Sequence, residues 1–172
     1  SIRRMISDKA GCYNADGFKI DFTAAVPAHN EAQRAGVVWG IELLKTYLRE
    51  IYSSAKKVKK DAFIIAHAAN PYFMDVCDAI RLNDIDKNYQ DSVILKMEFR
   101  AEMAALACPG LLIDMDNWPC PSRKAWLEYM QMQPLMGVPS LYYASHIDTT
   151  REQILPQDWA MIAKLWKEYG KK

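Results

Sequence analysis

Gly17-Phe18-Lys19-Ile20-Asp21-Phe22 is an apolar run that ends on an acid two places after a lysine, with small residues and Pro27 behind it. A chain that leaves a buried strand on such a Lys-x-Asp pair sets charge at a strand end, where α/β folds hold their chemistry. The pattern recurs. Phe63-Ile64-Ile65-Ala66 ends on His67, Ala79-Ile80-Arg81-Leu82-Asn83 on Asp84, Leu111-Leu112-Ile113 on Asp114 and Asp116, and Leu141-Tyr142-Tyr143 near His146 and Asp148. Short apolar runs that mostly alternate with helical stretches predict consecutive βα units. Such an order is economical only in a parallel arrangement, since each crossover returns the chain to the same edge of the strands. The expected fold class is therefore α/β, consecutive βα units of one parallel barrel in one domain spanning residues 1–172, which the family resemblance given below makes a partial (β/α)8 barrel.

The helical periods agree with that reading. From about Glu31 to Lys57, Val37, Ile41, Leu44, Leu48, Ile51 and Ala55 recur every three or four residues, while Glu42, Lys45, Arg49 and Glu50 fall on the other face. A second helix is expected from about Asp91 to Ala107, with Val93, Met97, Ala101, Ala104 and Ala105 inward and Pro109-Gly110 as its stop. A third runs from about Ser122 to Gln133 with Trp126 and Met130 inward. The fourth starts near Pro156, turns Trp159, Ile162, Ala163 and Trp166 inward, and ends at Gly170. Ile2, Met5 and Ile6 also fit a helix face, so the chain is expected to open inside a fold.

Composition excludes some classes. With 51% hydrophobic and 25% charged residues among 172, the chain suits one packed domain, and its net charge of +1 rules out the broad basic surface of a general nucleic-acid binder. The basic cluster Lys56-Lys57-Val58-Lys59-Lys60 closes a long helix, where cations complement the negative end of the dipole. Cys12, Cys77, Cys108 and Cys120 share no metal-ligand spacing and read as buried free thiols, which fits a reducing compartment and a cytoplasmic location. No apolar run approaches the roughly 20 residues of a membrane span, so no membrane partner is expected. Asp114 and Asp116 bracket Met115 at a strand end, but no third oxygen ligand stands at useful spacing, and no metal is expected.

At the strand ends the residues resemble a family. Asn14-Ala15-Asp16-Gly17-Phe18-Lys19-Ile20-Asp21-Phe22 is similar to the fourth-strand nucleophile segment of retaining glycosidases related to α-galactosidases and α-glucosidases, glycoside hydrolase clan D, families thirty-one and thirty-six. Arg81-Leu82-Asn83-Asp84 resembles the sixth-strand segment in which an acid/base aspartate follows an arginine. Asp61 to His67 resembles the fifth strand of that barrel, and Gly137 to Tyr143 the eighth. Strands one to three have no counterpart, and Thr23-Ala24-Ala25 departs from the residues common after the nucleophile. The resemblance implies strands four to eight of a glycosidase barrel, acting on an α-linked glycoside without a cofactor. It implies Asp21 as nucleophile and Asp84 as acid/base, with Lys19, His67, Arg81, Asp114, Asp116, Trp118 and His146 as substrate contacts.

The chemistry asks for two carboxyl groups about 5 Å apart across the scissile bond, one ionised and one protonated. Lys19 shares a strand face with Asp21 and would favour its ionised form, whereas parity puts Arg81 on the face opposite Asp84 unless the strand end is bulged. Plainer readings stand beside these. Lys19 and Asp21 also read as an ion pair at a barrel mouth, Asp84 as a helix N-cap or turn acid, His67 as a hydrogen-bonded rim residue, and Trp118 and Tyr143 as core aromatics. The competing class is a non-catalytic barrel module that binds carbohydrate or protein. Five parallel strands cannot close a barrel, so a homodimer or larger closed oligomer is expected to cover the open edges, with Trp39, Trp126, Trp159 and Trp166 adding apolar area.

Overall fold

The computed structural model describes residues 1–23, 26, 38–85 and 93–171. It is an α/β structure whose described strands are parallel and follow one another in chain order. The chain forms two compact units, Ser1–Ile80 and Arg81–Lys172. Among the described residues no helix is long and apolar enough to cross a membrane.

The first unit holds α1 (Ile2–Ile6), β1 (Gly17–Ile20), α2 (Ile41–Val58), β2 (Phe63–Ala66), a 3-10 helix (Pro71–Val76) and the start of β3 (Ala79–Arg81). Gly17 stands opposite Phe63 and Ile20 opposite Ala66, while Ile65 pairs with Ala79. Ile20, Ile64, Ala66, Phe73, Val76 and Ile80 are buried, and α2 contributes Leu48 and Ala55 at helical spacing. Asp78 ties helix to strand. Its carboxylate takes Lys56 Nζ at 2.9 Å and the Ile64 N–H at 2.8 Å. The 3-10 helix begins on Pro71 with the Asn70 side chain accepting the Tyr72 N–H at 2.9 Å, an ordinary N-cap.

The second unit contains α3 (Val93–Ala107), β4 (Leu112–Met115), α4 (Arg123–Met136), β5 (Val138–Pro139) and α5 (Pro156–Tyr169). Asp114 pairs with Val138, and beyond β3 the Leu82 N–H donates to the Asp114 carbonyl at 3.1 Å. Met97, Met115, Trp126, Tyr129, Met130 and Ile147 form the centre of its core. Trp126 meets Tyr143 and Trp159 edge to face, with centroids 6.3 and 6.4 Å apart. Ser122 caps α4 by accepting the Ala125 N–H at 3.2 Å.

Asp158 caps α5 and joins it to α4. It accepts the Leu155 N–H at 2.7 Å and a two-point contact from Arg123 at 2.8 and 2.6 Å. Arg123 holds the Asp158 carboxyl below the usual carboxylate range. A depressed folded value stabilises the unit above the unfolded pKa near 4 and is lost as the pH falls through the folded value. Asp158→Asn is expected to cost about 1.5 to 3 kcal/mol at neutral pH and to flatten this acid limb in thermal melts taken against pH. An unchanged acid limb in the variant would assign it to other carboxyls.

Several elements differ from the sequence reading. The last strand is Val138–Pro139, whereas Leu141 to Tyr143 carry no regular structure, because Tyr143 is spent on packing and on the Cys120 N–H, which its hydroxyl accepts at 2.6 Å. Helix α2 begins at Ile41, and residues 38–40 are not helical; Gly40, at φ 60, precedes it. The part of that expectation from 31 to 37, with Val37, lies outside the described residues. Trp39 is accordingly not on a helix, and Ile41 is exposed. Ala105 and Ala163 face solvent, since each lies too far around its helix from the buried stripe. Trp126 is fully buried within its own unit and has no surface to give a partner.

Candidate active site

Strand register builds one cluster, within the first unit. Because Ile20 stands opposite Ala66, the next residues, Asp21 and His67, emerge side by side at the C-terminal ends of β1 and β2. Asp21 Oδ1 lies 3.6 Å from His67 Nδ1 and accepts the Phe22 N–H at 2.8 Å. The Asp21 side chain is 44% exposed, and Lys19, two residues earlier on the same face, is exposed as well. Thr23 closes the corner by donating its hydroxyl to the His67 carbonyl at 2.8 Å. Phe22 between them has φ 52, a left-handed conformation that costs a non-glycine residue roughly 1 to 2 kcal/mol. Its side chain is turned out to solvent.

In the second unit the strand-end residues are drawn around Arg81. Arg81 is buried, and its Nη2 contacts Asp84 Oδ1 at 2.7 Å and also the Asp116 carboxylate. Parity, which held only for a regular strand end, therefore does not apply to Arg81 and Asp84. Strand β3 stops at Arg81, so alternation no longer governs a residue three places on. Asp84 is partly exposed; Asp116, at 1%, is beneath the surface and also accepts the Trp118 N–H at 2.8 Å. Asp114 is buried on β4. Arg100 on α3 pins the segment by donating to the carbonyls of Asn83 and Asp84 at 2.9 and 2.8 Å.

Trp118 and His146 belong to a neighbouring cluster. The Trp118 ring lies 5.6 Å from that of Tyr142, and its indole N–H donates to Asp148 at 3.2 Å. His146 Nε2 is 3.7 Å from Asp148, and its Nδ1 is 2.8 Å from the Ser145 hydroxyl. Burial pushes the Tyr143 phenol up and the Cys120 thiol to about 12, so neither supplies an anion at neutral pH. Asn117 and Gln133 brace the loop from below. Asn117 contacts the Ser140 carbonyl and accepts the Tyr142 N–H at 3.1 Å, while Gln133 contacts the Met115 carbonyl and accepts the Ser140 N–H at 3.1 Å. Neither was singled out in the sequence. A usable signal existed for Gln133, a polar residue at helical spacing from Trp126 and Met130 on the buried face of α4.

Among the described residues no group of three or more His, Cys, Asp or Glu side chains is placed to hold a metal ion. The first unit has clefts of about 650 Å³, lined by Ser1, Ile2, Arg3, Ser54 and Lys57, and about 250 Å³, lined by residues from Ile6 to Lys59. The smaller includes Asn14 and Lys59, which precede β1 and β2, so it lies at the strand ends opposite Asp21 and His67. Concavity and chemistry do not coincide there. Compared with protein-family models, curated proteins and solved structures, the chain matches none.

Proposed function

We propose that this chain is part of a retaining glycosidase barrel, its strands corresponding to the fourth through eighth, and that its substrate is an α-linked glycoside. The observation that carries the reading is the register-matched placement of Asp21 beside His67, with Lys19 on the same open face. A nucleophile must be reachable and held, and Asp21 is both half-exposed and fixed by the Phe22 N–H. In this reading Asp21 attacks the anomeric carbon, while Lys19 and His67 contact sugar hydroxyls. Asp84, more exposed than Asp116 beside the same Arg81, is the one a substrate reaches, and it acts as acid and then base. Arg81 orients Asp84, buried Asp116 holds Arg81 from below, and Asp114, Trp118 and His146 are further sugar contacts. No cofactor takes part.

A mechanism-based glycosidase label such as a 2-fluoroglycosyl fluoride tests this on the full-length protein. The expected result is a covalent mass gain on the peptide carrying Asp21, absent in Asp21→Asn although that variant keeps its fold. Reversible sugar binding with no label, or a label on another peptide, would move the assignment to a binding module or another nucleophile.

A further inference from the structure

Helix α3 is apolar on two sides. Val93, Met97, Ala101 and Ala104 face inward and are buried in the second unit's core. On the other side Leu95, Phe99, Met103 and Leu106 are 67, 64, 48 and 77% exposed. Their spacings of four, four and three put them in one stripe. The outer sides of the other helices in this unit differ: α4 shows Lys124, Glu128 and Gln131 to solvent with a single large apolar residue, Leu135, among the described ones, and α5 shows Gln157, Lys164 and Lys167. Scattered exposed leucines need no explanation, but four large side chains aligned on one helix mark a contact surface.

We propose that the outer face of α3 is the contact surface of a symmetric dimer, and that the same helix of a second copy covers it. Leu95, Phe99 and Met103 form an i, i+4, i+8 ridge, the kind that interlocks with an identical ridge at a crossing angle of about 50°. The rim suits a like partner. Glu98 and Glu102 border the stripe on one side and Lys96 on the other, so each copy brings both signs and a uniformly charged partner would meet repulsion along one edge. With a chain net charge of +1, two copies repel little at long range. The stripe offers on the order of 400 Å² per copy, about half of what a standard interface covers on each side. The rim therefore contributes, and the dimer is a weak, reversible one. This surface is distinct from the open strand edges that the sequence reading expected a partner to cover.

Sedimentation of the full chain from about 1 to about 100 µM brackets such an equilibrium. The wild type is expected to move from monomer towards twice that mass. Phe99→Asp is expected to weaken the association at least about 30-fold, the loss typical of a central anchor, with an unchanged circular dichroism spectrum. Leu135→Asp, which alters an equally exposed leucine on α4 outside the stripe, is expected to leave it unchanged. A wild type that stays monomeric, a dimer that survives Phe99→Asp, or equal loss in Leu135→Asp would overturn the proposal. So would a monomer that binds neutral lipid vesicles through Phe99, which would give the stripe a membrane as its occupant.

Discussion

Arg81→Met is expected to destabilise the second unit by about 3 to 5 kcal/mol, because it strips the cation from Asp116, a carboxylate with 1% of its side chain exposed. Methionine fills much of the arginine's volume, so little of that loss comes from a cavity. The pH dependence separates the causes. A buried carboxylate without its cation has its folded pKa raised, and the cost of burying its charge is complete above that value and shrinks as the pH falls through it. Chemical unfolding from about pH 8 down to about pH 5 should therefore show the deficit narrowing on acidification. The double variant Arg81→Met with Asp116→Asn should recover much of the loss at neutral pH, since residue 116 then has no charge to bury. A deficit independent of pH, or none recovered in the double variant, would mean that Arg81 acts through packing.

Gly17→Ala is expected to cost the first unit more than about 4 kcal/mol or to prevent it from folding. A Cβ at Gly17 would lie 1.8 Å from the Phe63 carbonyl oxygen, with that residue's carbonyl carbon and amide nitrogen at 2.7 and 2.8 Å. All three are backbone atoms of the paired strand, so relief requires β1 to leave its register. Gly110→Ala supplies the comparison: its φ is +88, but nothing lies within 4 Å of the added carbon, and only the backbone term of roughly 1 kcal/mol applies. Hydrogen exchange at Phe18 to Ile20 and Ile64 to Ala66 reads the difference. Protection retained in Gly17→Ala would show that the strands can separate slightly without losing their pairing. If the register slips, Asp21 parts from His67, so binding at that corner should fall along with stability.

The two strand-end clusters, one in each unit, were unequally open to prediction. Asp21 and His67 were visible as polar residues closing apolar runs, and β2 spans the four residues expected of it. Arg81 was visible too, yet its partners were not. Alternation predicts a face only while the strand lasts, and the contacts of Arg81 come from Asp84 in irregular chain and Asp116 beyond β4. The outer stripe of α3 shows a similar gap. Leu95, Phe99, Met103 and Leu106 stand in the sequence at helical spacing, but with two apolar sides on one helix, periodicity alone does not say which the core takes.

What the sequence determined by itself is the succession of elements: apolar runs of strand length, helical periods between them, and acids or histidines where the runs stop. These depend on neighbours a few residues away, and the local chain carries that information. Only the tertiary structure decided that the last strand is Val138–Pro139 and not the more strand-like Leu141 to Tyr143. Gly137, where an added Cβ would lie 2.6 Å from the Ile113 carbonyl oxygen, allows close approach to β4 just before those two residues, while Tyr143 is drawn away to Cys120. Likewise it set Asp116 under Arg81 and left Asp21 open beside His67. Pairing and burial join residues far apart in the chain, and the same short pattern is satisfied by more than one partner until the backbone has closed around it.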